Sequence, residues 1–317
     1  MDVHENPSRS AVSGTNKHAT FKEEGNMAPE RILITGCNRG IGYEMVRQLT
    51  EQQCPPKQIF ATCRDPSSPQ NKKLNDLAAK YPNVIVIKLE QIQLYPILAS
   101  DWLNRPVLHH ELISKAKEEG RRFLQSETTD ANSIKEAVKE VKKHLNGAGL
   151  NLLVNNAGIM LNSNLESADS ADFMNVYSTN VVGPFLLAKE LLPFLKKAAE
   201  ENHQKPFSWS KSAIINISSQ LSSIENTPEC YNIHPVPSYR CSKAALNMLT
   251  KCQSLSYKKD GILCTAVHPG WVQTDLGGPD ALLTVEQSVQ GVLKVLYSLS
   301  EEHSGILITW EGNILPW

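Results

Sequence analysis

The stretch that most limits the possible folds is Arg31-Ile32-Leu33-Ile34-Thr35, followed directly by Gly36-Cys37-Asn38-Arg39-Gly40-Ile41-Gly42. The first segment reads as a short buried strand. Ile41, Met45, Val46 and Leu49 then recur at helical spacing. A strand that enters a helix through a glycine turn lets backbone approach a ligand closely. It also aims free N–H groups and the positive end of the helix dipole at that ligand, which suits a phosphate. The spacing is Gly-x-x-x-Gly-x-Gly rather than Gly-x-Gly-x-x-Gly. Further strands are predicted near 57–63, 83–89, 150–154, 213–219, 262–267 and 305–310, with helical patterns between most of them. That alternation predicts the α/β class: a single doubly wound parallel sheet of about seven strands with helices on both faces.

At 317 residues, 41% hydrophobic and 21% charged, the chain suits a soluble globular protein with a sizeable core. A net charge of −1 gives no general attraction to nucleic acid or to an acidic membrane. No apolar run approaches the ~20 residues needed to cross a bilayer. The seven cysteines lack a Cys-x-x-Cys pair, and an odd number without a secretory signal favours reduced thiols in a cytoplasmic setting. The nine histidines show no metal-ligand spacing, so no metal is expected. Residues 1–27 are polar and Ser/Asn/Glu-rich and read as a disordered N-terminal extension, with Met27 a possible alternative start. Residues 28–317 read as one domain.

Within that domain the strand ends carry the candidate chemistry. After the second strand comes Arg64-Asp65-Pro66. An acidic residue there would take a ribose 2′-hydroxyl, whereas arginine accommodates a 2′-phosphate. Arg64, with Arg39 from the glycine turn, points to NADP(H), and Asp65 before proline reads as a turn former. The fourth strand ends in Asn155-Asn156-Ala157-Gly158, small enough for a cofactor to lie against backbone. Asn180 falls inside a long helical pattern, and Gly183-Pro184 after it predicts a local irregularity. The fifth strand ends in Ser218-Ser219.

Tyr239 and Lys243, four apart in a run of helix formers, lie on one helical face. A unit charge ~4 Å away at an effective dielectric of ~20 is worth roughly 4 kcal/mol. That could bring a phenol from ~10 down to about 7, making Tyr239 a general acid tuned to neutral pH.

With these pieces in order, residues 27–317, apart from about 91–127, resemble the short-chain dehydrogenase/reductases, a Rossmann-like family. The motifs are Thr35-Gly36-x-x-x-Gly40-Ile41-Gly42, Asn155-Asn156-Ala157-Gly158, Asn180, Ser219, Tyr239-x-x-x-Lys243 and Pro269-Gly270. Cys37-Asn38-Arg39, Tyr239-Arg240-x-Ser242-Lys243 and His268-Pro269-Gly270-Trp271-Val272-x-Thr274-Asp275 look like the C-factor/sniffer branch of NADPH-dependent carbonyl reductases.

The resemblance implies an oxidoreductase that passes hydride from NADPH to an aldehyde, ketone or quinone, forming NADP+. It implies that Tyr239 protonates the oxyanion and that Lys243 lowers the phenol pKa and bonds the nicotinamide ribose. Ser219, the second of its pair, donates to the carbonyl oxygen, and Asn180 holds a relay water. Pro269, Gly270, Val272 and Thr274 flank the carboxamide. Gly36, Asn38, Arg39, Gly40, Ile41, Gly42, Arg64, Asn156, Ala157 and Gly158, with Tyr239 itself, complete the cofactor set. A homodimer through the helices of Asn180 and Tyr239 is implied as well. The rival reading is a non-catalytic NADP-binding sensor or scaffold.

Two departures from the family pattern remain. The Ser219–Tyr239 interval is long, so Tyr231, His234, Pro235 and Pro237 become candidates for the substrate-pocket wall. Tyr231 could equally pack on the surface, and His234 reads better as an exposed polar residue. Cys230 and Cys241 read as buried, inert thiols. Residues of about 91–127 look like an insertion after the third strand, because joining Glu90 to Thr128 would leave an ordinary short loop. The insertion reads as a lid or partner-binding element, given Tyr95, Trp102 and Leu103, as an inert surface loop, or as a product of alternative splicing that disables an isoform. Glu90, then Glu127, are the candidates for the family's acidic residue at the adenine.

Overall fold

The computed structural model describes residues 28–90 and 132–317. The readings of residues 1–27, the 91–127 insertion and Glu127 lie outside the described residues. Eight strands form one sheet: β1 (Arg31–Ile34), β2 (Gln58–Cys63), β3 (Val84–Lys88), β4 (Leu152–Asn155), β5 (Ala213–Ile217), β6 (Leu263–His268), β7 (Leu307–Thr309) and β8 (Ile314–Leu315). Their order is β3-β2-β1-β4-β5-β6-β7-β8. All pairings are parallel except β7 with β8.

The parallel strands are joined through α1 (Gly40–Thr50), α2 (Lys72–Lys80), α3 (132–145), α4 (Ser170–Tyr177), α5 (Gly183–Glu201), the short α6 (Thr227–Cys230), α7 (Pro237–Tyr257) and α8 (Val285–Ser298). A parallel sheet needs both faces covered, and its strands carry the near-continuous apolar runs that this requires. On one face Met45, Val46 and Leu49 of α1, Leu74 of α2 and Val289, Val292 and Leu296 of α8 pack on alternate strand residues such as Ile32, Ile215 and Val267. The opposite residues, among them Leu33, Leu153 and Ile214, pack on Ile134, Val138 and Val141 of α3 and on Leu187, Leu191 and Leu195 of α5.

The extra strand corrects the expected count of about seven. Gly312, at φ 93°, turns the chain back after β7, and two residues pair antiparallel with it. So short a strand has no periodicity to read.

The irregularity expected near Gly183-Pro184 is a π-turn over Ser178–Val182, which joins α4 to α5. The donor that would meet the Asn180 carbonyl in an unbroken α-helix belongs to residue 184, and Pro184 has no N–H. The wider turn leaves Asn180 almost wholly buried.

Strand order reverses between β1 and β4, since β2 and β3 extend one way and β5 to β8 the other. Such a switch opens a crevice at the carboxyl ends of the two central strands. Close packing elsewhere keeps that crevice in register. Gly149, just before β4, lies so near α5 that a Cβ there would fall 2.2 Å from the Ala198 nitrogen. Gly149→Ala is therefore expected to cost about 1–3 kcal/mol, read as a lower urea midpoint with an unchanged slope. An unchanged midpoint would show that α5 can move aside freely.

Candidate active site

The glycine turn after β1 is bound to the turn after β4. Thr35 Oγ1 accepts from the Asn156 and Ala157 N–H groups, each at 3.0 Å, and Asn156 Nδ2 donates to the Thr35 carbonyl at 2.8 Å. Gly36 takes φ 70°, a left-handed backbone that suits glycine. At Gly42 a Cβ would meet the Gly36 carbonyl oxygen at 2.3 Å, so a side chain there would push the turn away from α1. Arg39, the N-cap of α1, makes no side-chain cap, and the first turn has no acidic residue. The first N–H groups of this helix thus have no capping side chain or carboxylate, as a phosphate site requires.

These elements border a cavity of about 400 Å³. Of the residues expected to hold a cofactor, Gly36, Asn38, Arg39, Gly40, Ile41, Arg64, Asn156, Ala157, Gly158 and Thr274 line it. Gly42 lies behind the lining, where it permits the close packing of turn and helix. Asp65 caps its own turn, accepting from the Ser67 N–H at 3.0 Å and from the Ser67 hydroxyl. Those two bonds hold its carboxyl below the usual carboxylate range. Arg64 has no ion-pair partner among the described residues, whereas Arg39 is paired with Asp275. Both members of that pair are mostly exposed, so the pair is weak enough for a bound anion to replace. Glu90 also borders the cavity, paired with Lys88 at 2.7 Å. The uncapped helix, the glycine turn and the two arginines fit a phosphate-bearing dinucleotide.

A second cavity of about 190 Å³ shares Ile41, Asn156, Gly158, Thr274 and Leu276 with the first. Ser219, Tyr239, Lys243, Pro269, Gly270 and Val272 line it. Ser218 donates its hydroxyl to Asn247 at 2.7 Å, which commits it to the packing under α7. Ser219 is left facing the cavity, its Oγ accepting from the Leu221 N–H at 3.1 Å.

Lys243 Nζ donates to the Ile217 carbonyl at 2.8 Å and lies 5.7 Å from the centre of the Tyr239 ring. Asn180 is not part of the lining. Its Nδ2 donates to the Ile159 carbonyl at 2.9 Å and to Ser242 Oγ at 3.0 Å, while its Oδ1 accepts from the Ile159 N–H at 2.9 Å. It therefore fixes the chain after Gly158 relative to α7.

Charge behaves differently from the sequence expectation. Burial pushes the Tyr239 phenol up to about 12, with hydrogen bonding to Ser219 offsetting part of the rise. Burial also brings the Lys243 ammonium down to about 8. In this geometry desolvation governs both groups, so the phenol is not brought down toward pH 7. Burial takes His268 down to about 4, leaving a neutral ring whose Nδ1 has no hydrogen-bond partner among the described residues.

His268 lines the second cavity together with Met160, Gln220, Leu221 and Trp271, none of them marked as substrate-wall residues by sequence. His234 also lines it, its ring 5.3 Å from that of Trp271, which corrects its reading as an exposed polar residue. Contact with an aromatic side chain far along the chain carries no local signal. Tyr231, Pro235 and Pro237 do not line the cavity. Tyr231 instead stacks on Arg240, with the guanidinium carbon 5.5 Å from the ring centre. The expected burial of Cys241 and Cys230 fails: Cys241 is exposed and Cys230 half-buried.

Among the described residues, no group of three or more His, Cys, Asp or Glu gathers to hold a metal ion. None of their helices is long and apolar enough to cross a membrane.

The family model for short chain dehydrogenases matches residues 102–281, a stretch that begins inside the segment read as an insertion. The solved NADPH-bound carbonyl reductase from chicken fatty liver is 41% identical to this chain. The match covers 92% of this chain and 100% of that one, with a TM-score of 0.77. Carbonyl reductase Sniffer of D. melanogaster is 32% identical over the same shares, with a TM-score of 0.75. C-signal of Myxococcus xanthus is 34% identical over 53% of this chain and 93% of its own. The chain belongs to the short chain dehydrogenase family, in the branch of the Sniffer-type carbonyl reductases, and is an oxidoreductase of that family.

Proposed function

We propose that this protein is an NADPH-dependent reductase of aldehydes, ketones or quinones, with Tyr239 as the proton donor. The observation that carries the reading is the convergence of Ser219, Tyr239 and Lys243 on one small cavity that opens from the phosphate-fitting one. Preference for NADPH over NADH rests on Arg39 and Arg64 at the cavity edge and on Asp65 being turned into its own cap. The chicken relative, solved with NADPH, supports the same choice.

When bound, the cofactor supplies hydride to the carbonyl carbon. Tyr239, protonated across neutral pH because it is buried, gives its proton to the carbonyl oxygen as negative charge develops there. Ser219 donates a hydrogen bond to the same oxygen. Lys243, charged below about pH 8 and anchored on Ile217, offsets the charge left on the phenol. Asn180 has its side chain committed, so it holds a relay water through its main-chain carbonyl, which lacks its α-helical donor at Pro184. Gly36, Asn38, Gly40 and Ile41 with Asn156, Ala157 and Gly158 hold the cofactor, and Pro269, Gly270, Val272 and Thr274 flank its carboxamide.

Residues 28–317 act as one domain interrupted at about 91–127. A homodimer and a cytoplasmic location belong to the same reading. An exposed stripe of Cys241, Met248, Cys252 and Leu255 along α7 supports the first, and seven unpaired cysteines support the second.

Tyr239→Phe is expected to lower kcat by roughly 10²–10⁴-fold against a panel of quinones, aldehydes and ketones, with NADPH affinity within about twofold. The wild-type kcat/KM is expected to fall as pH rises through about 8, where Lys243 loses its proton. Retained turnover in Tyr239→Phe, or activity that rises through pH 8, would contradict this assignment.

A further inference from the structure

Arg240 follows the proposed proton donor and points away from it. Its side chain is buried, yet every partner of its guanidinium is a main-chain carbonyl or a sulfur. Nε donates to the carbonyls of His234 and Pro235 at 2.9 and 3.0 Å. One terminal nitrogen donates to the Leu221 carbonyl at 3.4 Å. The other donates to the carbonyls of His234 and Cys230 at 2.8 and 3.2 Å and contacts Cys230 Sγ at 3.3 Å. The Tyr231 ring closes over the guanidinium. No carboxylate pairs with it among the described residues.

Such an arrangement is costly to build, because a buried cation without a counter-ion depends wholly on its hydrogen bonds. What it gains is the shape of one segment. All four carbonyls lie in the 17-residue span 220–236. That span holds only a 3₁₀ turn (Gln220–Ser222) and the four-residue α6 as regular structure. Two of the accepting carbonyls, those of Leu221 and His234, belong to wall residues of the 190 Å³ cavity. The segment ends at Val236, whose φ of 23° is a strained, left-handed backbone for a β-branched residue. Such a corner persists only when its surroundings hold it, and Arg240 bonds on both sides: its guanidinium takes Pro235, and its N–H takes the Val236 carbonyl at 3.0 Å.

We propose that Arg240 is a positioning residue that holds the 220–236 segment as a rigid wall, and so sets which carbonyl compounds reach Tyr239. A lysine cannot replace it, because three donors on one nitrogen cannot span carbonyls that a planar guanidinium reaches from three nitrogens. The proposal rests on the reading of the smaller cavity as the carbonyl site.

Arg240→Lys, which keeps the charge, and Arg240→Met, which keeps the bulk, test it in the full-length protein. Two readouts apply: amide hydrogen exchange across 221–236, which needs no turnover, and steady-state kinetics with NADPH against benzaldehyde and the bulkier phenanthrenequinone. Both variants are expected to exchange faster in that segment and to leave the NADPH dissociation constant within about twofold. KM is expected to rise by roughly ten- to hundredfold, with the ratio of KM values between the two substrates altered and kcat changed less.

Faster exchange in both variants, with a wild-type protein that turns over neither substrate, would fault the carbonyl reading while leaving the structural role of Arg240 intact. Unchanged exchange and KM would overturn the proposal. So would equal loss of NADPH and substrate affinity, or failure of both variants to fold, since either would make Arg240 a general stability residue.

Discussion

One hydroxyl joins the two halves of the sheet where the site forms. Thr35 Oγ1 receives the N–H groups of Asn156 and Ala157, while the Asn156 amide returns a hydrogen bond to the Thr35 carbonyl. These bonds span the point at which strand order reverses, so they fix the width of the crevice between β1 and β4. Gly36 and Gly42 then let the turn and the first helical turn pack against each other without an intervening Cβ. The uncapped end of α1 and the β4 turn both face the cavity as a result.

The second half of the site depends on burial rather than on charge pairing. Lys243 reaches beneath the strand ends to the Ile217 carbonyl, and Asn180 ties Ile159 to Ser242 through a π-turn. Together they clamp α7 against the carboxyl ends of β4 and β5. Tyr239 is thereby held at a cavity wall in an environment that keeps its proton on. Desolvation, not proximity to an ammonium, determines the resting state of this phenol, and that reverses the simplest estimate from sequence.

The doubly wound sheet and the pairing of Tyr239 with Lys243 were legible because each rests on local pattern, whereas Ser219 joined them only through the family resemblance. Buried strands announce themselves by apolar runs, glycine turns by composition, and the Tyr–Lys pair by helical spacing. What was not legible arises from contacts distant in sequence. His234 meets Trp271 only once the fold brings them together, and His268 becomes a neutral buried ring only beneath α7. The β8 strand is two residues long and exists because β7 offers it an edge. The four carbonyl acceptors of Arg240 come from a loop that no periodicity describes.

In the proposed function the crevice between β1 and β4 holds a dinucleotide carrying a 2′-phosphate and presents it to Tyr239. Direct titration of the full-length protein with NADPH and with NADH, followed by fluorescence, tests it most simply. Wild-type protein is expected to bind NADPH at least ~10-fold more tightly than NADH, a preference of about 1.4 kcal/mol or more. The double variant Arg39→Ala, Arg64→Ala should lose that preference while still binding NADH. Equal affinity for the two cofactors, or a preference that survives removal of both arginines, would contradict the account.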